Sequence, residues 1–130
     1  MTGVTTIAVA VVLRRRCVLV GRRSASAAEA AGLHEFPGGK VEAGEAPAAA
    51  AARECLEETG IAVRIGRQLD RATAAGKRGP LELLFFEATP LDDREEPLVP
   101  FAWTPCDELA ALDFPAPNAR VVTGLVQGGS

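Results

Sequence analysis

Residues 39–61 read GKVEAGEAPAAAAARECLEETGI, and the order of residue types in this stretch decides the fold. Proline at 47 suits the first position of a helix, where its missing N–H is not needed. The alanines of 48–52 are the strongest helix formers available. Gly60 then stands where a helix commonly ends in a left-handed residue. The spacing predicts a helix from Pro47 to Thr59, closed by Gly60.

That helix carries a conflict. Glu54, Glu57 and Glu58 lie three and four residues apart, so their carboxylates share one face and repel. Glu57 and Glu58 also crowd the C-terminal end, where the helix dipole disfavours negative charge. A run of local violations of this kind marks a functional site. A hard divalent cation such as Mg2+ resolves it, because Mg2+ takes carboxylate oxygens and is commonly shared with substrate phosphates. Arg53, four residues before Glu57, is placed to pair with it and hold its carboxylate in position. A solvated acidic face is the plainer reading of Glu57-Glu58 taken alone. It leaves the arginine and the flanking glycines unexplained.

Upstream, Phe36-Pro37-Gly38-Gly39 is expected to be a turn or loop whose backbone can approach a ligand closely. Residues 4–13 (VTTIAVAVVL) are rich in β-branched residues and almost continuously apolar, as in a strand buried on both faces. Arg14–Arg16 would turn the chain into a second strand, Cys17–Val20, making a hairpin. Residues 23–34 are small and weakly patterned, and read either as a short helix or as a loop over a site. Downstream, Ile61–Leu69 and Leu81–Ala88 are expected as strands separated by a loop at Ala74–Pro80. Phe101–Trp103 is expected as a short strand, and Cys106–Leu112 and Asn118–Val126 as helical. Phe85 and Phe86, or Leu84, could wall a pocket, but alternating core packing is the simpler account of LELLFFEA. Strands mixed with helices over 130 residues predict one domain, residues 1–130, of layered α/β architecture.

The net charge of −3 argues against a nucleic-acid polymer as partner, since that demands a basic surface. A small phosphorylated ligand stays compatible, because a bound metal reverses the local charge. Ile7–Leu13 is too short to span a membrane. The basic run Arg14–Arg16 follows it rather than preceding it, the reverse of a signal peptide, so a cytoplasmic protein is expected. Cys17, Cys55 and Cys106 are odd in number and widely spaced, and are expected as reduced thiols.

The stretch fits G-x5-E-x7-R-E-U-x-E-E-x-G-U, with U apolar, at Gly39, Glu45, Arg53, Glu54, Cys55, Glu57, Glu58, Gly60 and Ile61. In this it resembles the Nudix box, with Cys55 where that family usually has Ile, Leu or Val. The resemblance implies a Nudix-type αβα sandwich with a mixed β-sheet and a loop-helix-loop metal site. It implies Mg2+, with Mn2+ able to substitute, bound by Glu54, Glu57 and Glu58, and the Gly38 carbonyl as a further oxygen. The catalytic set is then Arg53, Glu54, Glu57 and Glu58. Glu54, or a carboxylate outside the helix, would take the attacking water's proton; Glu95 or Glu96 is the candidate for that outside general base or extra metal ligand. The alternative for that segment, DDREE, is an ordinary charged surface loop.

The residues before and after the box resemble the MutT-type branch. Glu35–Lys40, Glu42, Gly44 and Glu45 match its EFPGGK-x-E-x-GE pattern, and Phe114–Asn118 resembles the segment before its last helix. His34 departs from the Trp or Leu common there and reads as a bystander. The similarity implies substrate contacts from Arg22 or Arg23, Phe36, Lys40 and Asn118, with the Asn118 amide reading an oxidised guanine. Helix N-capping is the structural alternative for Asn118. The expected partner is a small-molecule nucleotide, with no nucleic-acid polymer and no membrane, and the protein itself a monomer or homodimer. The expected reaction is hydrolysis of a (deoxy)nucleoside triphosphate, an oxidised purine such as 8-oxo-dGTP, to monophosphate and pyrophosphate. CTP or a methylated dCTP is the alternative substrate. A nucleotide-binding module without cleavage is a further alternative, against which the box retains every charged position.

Overall fold

The computed structural model describes residues 3–23 and 32–128. Its elements run β1 (Thr5–Arg14), β2 (Cys17–Arg22), β3 (His34–Glu35), β4 (Gly38–Lys40), α1 (Pro47–Thr59), β5 (Val63–Gly76), β6 (Gly79–Pro90), β7 (Ala102–Pro105) and α2 (Ala119–Val126). Short 3-10 helices occupy Cys106–Ala111 and Ala116–Asn118.

Strand β1 organises the sheet. Its apolar run is sorted by the two-residue period of a strand: Ala8, Ala10 and Val12 face one core, Val9 and Val11 the other. Along one edge β1 pairs in parallel with β6, from Thr5 against Leu81 to Val12 against Ala88. Its other edge is shared. β4 lies antiparallel to Ile7–Val9, and β2 lies antiparallel to Leu13 and Arg14. β5 extends the sheet beyond β6, and β3 and β7 both pair with β2. The sheet is therefore mixed. Helix α1 covers one face with Ala50, Ala51 and Cys55, and α2 helps cover the opposite face with Val121. The result is the expected αβα sandwich. Phe86 joins the α1 side and Phe85 the α2 side, as alternation requires.

Several boundaries differ from expectation. Gly38–Lys40 is a strand, not a turn. A Cβ at Gly38 would lie 2.5 Å from the Ala8 carbonyl oxygen, so glycine there serves close strand approach. The expected loop at Ala74–Pro80 shrinks to the turn at Lys77-Arg78, because Ala74, Ala75 and Gly76 pair with Leu81, Pro80 and Gly79. Arg14 belongs to β1, and the first hairpin turns on Arg15 and Arg16 alone, with φ of 51° and 66°. Residues 24–31 of the segment read as short helix or loop lie outside the described residues, while His34 stands in β3. The expected helix at Cys106–Leu112 is a 3-10 helix, and α2 begins one residue after Asn118.

Candidate active site

The C-terminal end of α1 is firmly closed. Gly60 takes a left-handed φ of 77° and donates its N–H to the Leu56 carbonyl at 2.9 Å. The buried Thr59 hydroxyl donates to the Cys55 carbonyl at 2.8 Å and accepts the Ile61 N–H at 3.1 Å. The Leu98 N–H reaches the Thr59 carbonyl at 2.8 Å. These bonds satisfy backbone groups that a helix end leaves open and fix the last two turns, where the glutamates stand.

Arg53 is the hub of the acidic face. It grips Glu45 with two parallel bonds, Nε at 2.8 Å and Nη2 at 3.0 Å. Its Nη1 reaches Glu54 at 3.0 Å and Glu57 at 3.4 Å, and Nη2 also donates to the Lys40 carbonyl at 3.1 Å. Glu57, the partner expected from helical spacing, is thus the weakest of the three. Glu45 is the strongest, and its role as the principal partner was not foreseen. The Arg53 guanidinium, with the Glu42 backbone bond, holds the Glu45 carboxyl down at about 2. Arg53 is in turn pushed further into its charged form by Glu45 and Glu54.

Glu54 lies directly over Gly39. A Cβ at residue 39 would meet its carboxyl carbon at 2.3 Å. Glu58 accepts the Gly38 N–H at 3.1 Å. Although the residue is exposed overall, desolvation of its carboxyl end pushes its pKa up to about 7. Repulsion from Glu35 and Glu54 adds to that shift, while the Gly38 bond and Arg23 oppose it. Arg23 pairs with Glu35 at 3.0 Å, a link the sequence did not suggest.

The expected metal ligands share this face but are held by different partners. Glu54 and Glu57 are drawn to Arg53 and Glu58 to Gly38, and no three acidic, histidine or cysteine side chains converge among the described residues. Gly38 donates its N–H to Glu58 beside the helix. The donor set still fits Mg2+ by type: three hard carboxylates on one helix face, beside a glycine whose missing side chain leaves Glu54 its place.

Residues 4–125 match the NUDIX domain. The chain belongs to the Nudix family. No curated protein matches it. Among solved structures it is similar to the MutT protein from Methanosarcina mazei Go1, with a TM-score of 0.81, 19% identity, and 97% of this chain and 95% of that one covered. It is also similar to the E. coli ORF135 protein, with a TM-score of 0.76 and 22% identity, covering 98% of this chain and 91% of that one. A third is the MutT protein of the Nudix hydrolase family from methicillin-resistant Staphylococcus aureus 252, with a TM-score of 0.77 and 25% identity, covering 99% and 100%. A Nudix hydrolase is an enzyme that acts on pyrophosphate-containing substrates, and the family generally uses divalent metals such as Mg2+.

Around the Nudix helix, the remaining expected residues divide. Arg23 sits among the acidic groups, whereas Arg22 donates Nε to the Gly32 carbonyl at 2.8 Å. Lys40 is exposed beside the helix and lends Arg53 its carbonyl. Phe36, expected against substrate, is a core residue, 4% exposed and stacked on Phe114 at 4.9 Å. Glu96 pairs with Arg14 at 3.5 Å, and the charged neighbours felt by Glu58 are Glu35, Glu54 and Arg23 instead. His34 stands in β3 with its ring tilted against Phe114. Asn118 is buried, and its side chain makes no cap for α2. Its Nδ2 donates to the Pro115 carbonyl at 3.1 Å, and its Oδ1 accepts no N–H of α2, so the capping account does not hold for this residue. No helix among the described residues is long and apolar enough to cross a membrane.

Proposed function

We propose that this Nudix hydrolase converts a (deoxy)nucleoside triphosphate to monophosphate and pyrophosphate with Mg2+, an oxidised purine such as 8-oxo-dGTP being its preferred substrate. The observation that carries this reading is the Arg53 network, which bonds Glu45, Glu54 and Glu57, with Glu54 seated over Gly39. Glu54, Glu57 and Glu58 would hold the ion, and when bound it supplies charge neutralisation and an activated water. The chain's own residues do the rest. Arg53 restrains the carboxylates, Gly39 leaves room for Glu54, and Arg22, Arg23 and Lys40 supply positive charge for the phosphates. Water adds to the β-phosphorus, the bond to the α,β-bridging oxygen breaks, and the monophosphate leaves with that oxygen. Glu54 takes the water's proton. Asn118 is buried and makes no side-chain cap, and beyond the Nδ2 bond to Pro115 its amide would offer Oδ1 and a second N–H to a purine edge. The reading is of a cytoplasmic enzyme with one domain over residues 1–130.

The test is product analysis with Mg2+ across 8-oxo-dGTP, dGTP, CTP, 5-methyl-dCTP and ADP-ribose, following pyrophosphate and monophosphate from the triphosphates and AMP from ADP-ribose. Pyrophosphate release favouring 8-oxo-dGTP supports the proposal. Preference for a pyrimidine would overturn the base assignment, and formation of AMP and ribose phosphate from ADP-ribose, with no cleavage of the triphosphates, would overturn the triphosphate reading.

A further inference from the structure

We propose that Asp70 and Arg120 form a latch that positions Asn118, so that both act as positioning residues for nucleotide selectivity; this rests on the nucleotide-reading role given to Asn118 above. Arg120 donates Nε to Asp70 Oδ1 and Oδ2 at 3.2 and 3.1 Å, and Nη2 to Oδ1 at 3.1 Å. The same Nη2 reaches the Arg71 carbonyl at 2.9 Å. These bonds join groups 49 and 50 residues apart in the chain. Asp70 stands where the β5–β6 register shifts after Gln68, an irregularity of the kind that re-aims a side chain.

The latch matters because, within the described residues, no hydrogen bond of Asn118 reaches the sheet. Its N–H and Nδ2 both go to the Pro115 carbonyl within its own turn, and α2 starts without a side-chain cap. Among the described residues, the hydrogen bonds from α2 to the sheet are those of Arg120. Strand β5 and this segment also wall an open cleft of about 500 Å³, lined by Arg71, Thr73, Ala116, Pro117 and Arg120. The guanidinium spans that gap two residues after Asn118. A bidentate arginine–carboxylate pair restrains orientation as well as distance, so releasing it lets the turn swing and moves the Asn118 amide.

The experiment compares the full chain with Asp70→Asn, Arg120→Gln and the double exchange Asp70→Arg/Arg120→Asp on 8-oxo-dGTP and dGTP. Each single variant should raise KM for the preferred nucleotide roughly three- to tenfold, with kcat little changed, and should lower selectivity. The exchange should recover part of both. In the NMR spectrum, the Asn118 side-chain amide should move in Asp70→Asn whether or not either nucleotide is turned over. A folded Asp70→Asn with wild-type KM, ratio and Asn118 signal overturns the latch. Asn118→Ala separates the two claims. If it leaves the substrate ratio unchanged, base reading fails; if it changes the ratio and Asp70→Asn does not, the latch alone fails.

Discussion

Gly39 leaves the space that Glu54 fills: a Cβ there would lie 2.3 Å from the carboxyl carbon and 2.6 Å from each oxygen. The obstructed atoms are the far end of a flexible side chain, so Gly39→Ala should displace them at little cost in stability. Turnover should drop about a hundredfold, since a misplacement near 1 Å costs that much in a positioned site. Gly38→Ala makes the opposite case, because its Cβ would strike the Ala8 carbonyl oxygen at 2.5 Å and the Val9 Cα at 2.9 Å, both backbone. It should lower the melting temperature by several degrees. Equal thermal losses in the two variants would refute the distinction.

Arg53→Lys retains the charge but loses the fork that grips Glu45. The Glu45 carboxyl, held at about 2, should return toward its ordinary 4.5. A depressed acid stabilises the fold above its unfolded value, and that contribution fades as pH falls toward the folded one. The variant should therefore lack the share of acid resistance between about pH 4.5 and 2 that Glu45 gives wild type. Carbon-detected NMR titration of the glutamates checks this, and an unmoved Glu45 would show that the guanidinium fork is not the cause.

Glu58 has the opposite sign. Its pKa rises from 4.5 to about 7, so the folded state disfavours its charged form. The metal-free protein should lose stability as pH climbs through that interval, and Glu58→Gln should flatten the slope and melt higher above pH 7. Melting curves in a chelator from about pH 5 to pH 8 supply the measurement. Identical slopes for both proteins would exclude the shift.

Arg15 and Arg16 both occupy left-handed backbone, with φ of 51° and 66°, in a two-residue hairpin turn that favours Asn-Gly. Replacing them by Asn-Gly should stabilise the protein by about 1 kcal/mol and leave turnover unchanged. The lost Arg15–Asp93 pair is exposed and contributes little. Calorimetry decides it, and a lower melting temperature would mean the exposed contacts outweigh the relieved backbone.

What the residue order disclosed was local. Helix α1 was legible because Pro47, the alanine run and Gly60 carry start, propagation and stop signals within one stretch. β1 was legible because an apolar run of that length suits a strand buried on both faces. Gly38–Lys40 was hidden, since glycine signals a turn as readily as close strand approach, and only the Ala8 backbone distinguishes the two. The short link from Ala75 to Pro80 was obscured likewise by its glycines. Side-chain partners across the fold were the least visible. Glu45 and Arg53 are eight residues apart and Asp70 and Arg120 fifty, separations to which no helical or strand period applies.

The buried face of α1 is built from Ala50, Ala51 and Cys55, and it meets Ala8, Ala10 and Ala88 in the same core. Small side chains therefore fill part of the layer between helix and sheet, and enlarging one of them should change how far Glu54 stands above Gly39. A variant such as Ala88→Val would thicken that layer and lift the acidic face as one body. The rate of the enzyme is then under the control of side-chain volume at positions that never meet the substrate, and a screen for altered turnover should find hits behind the helix as well as in front of it.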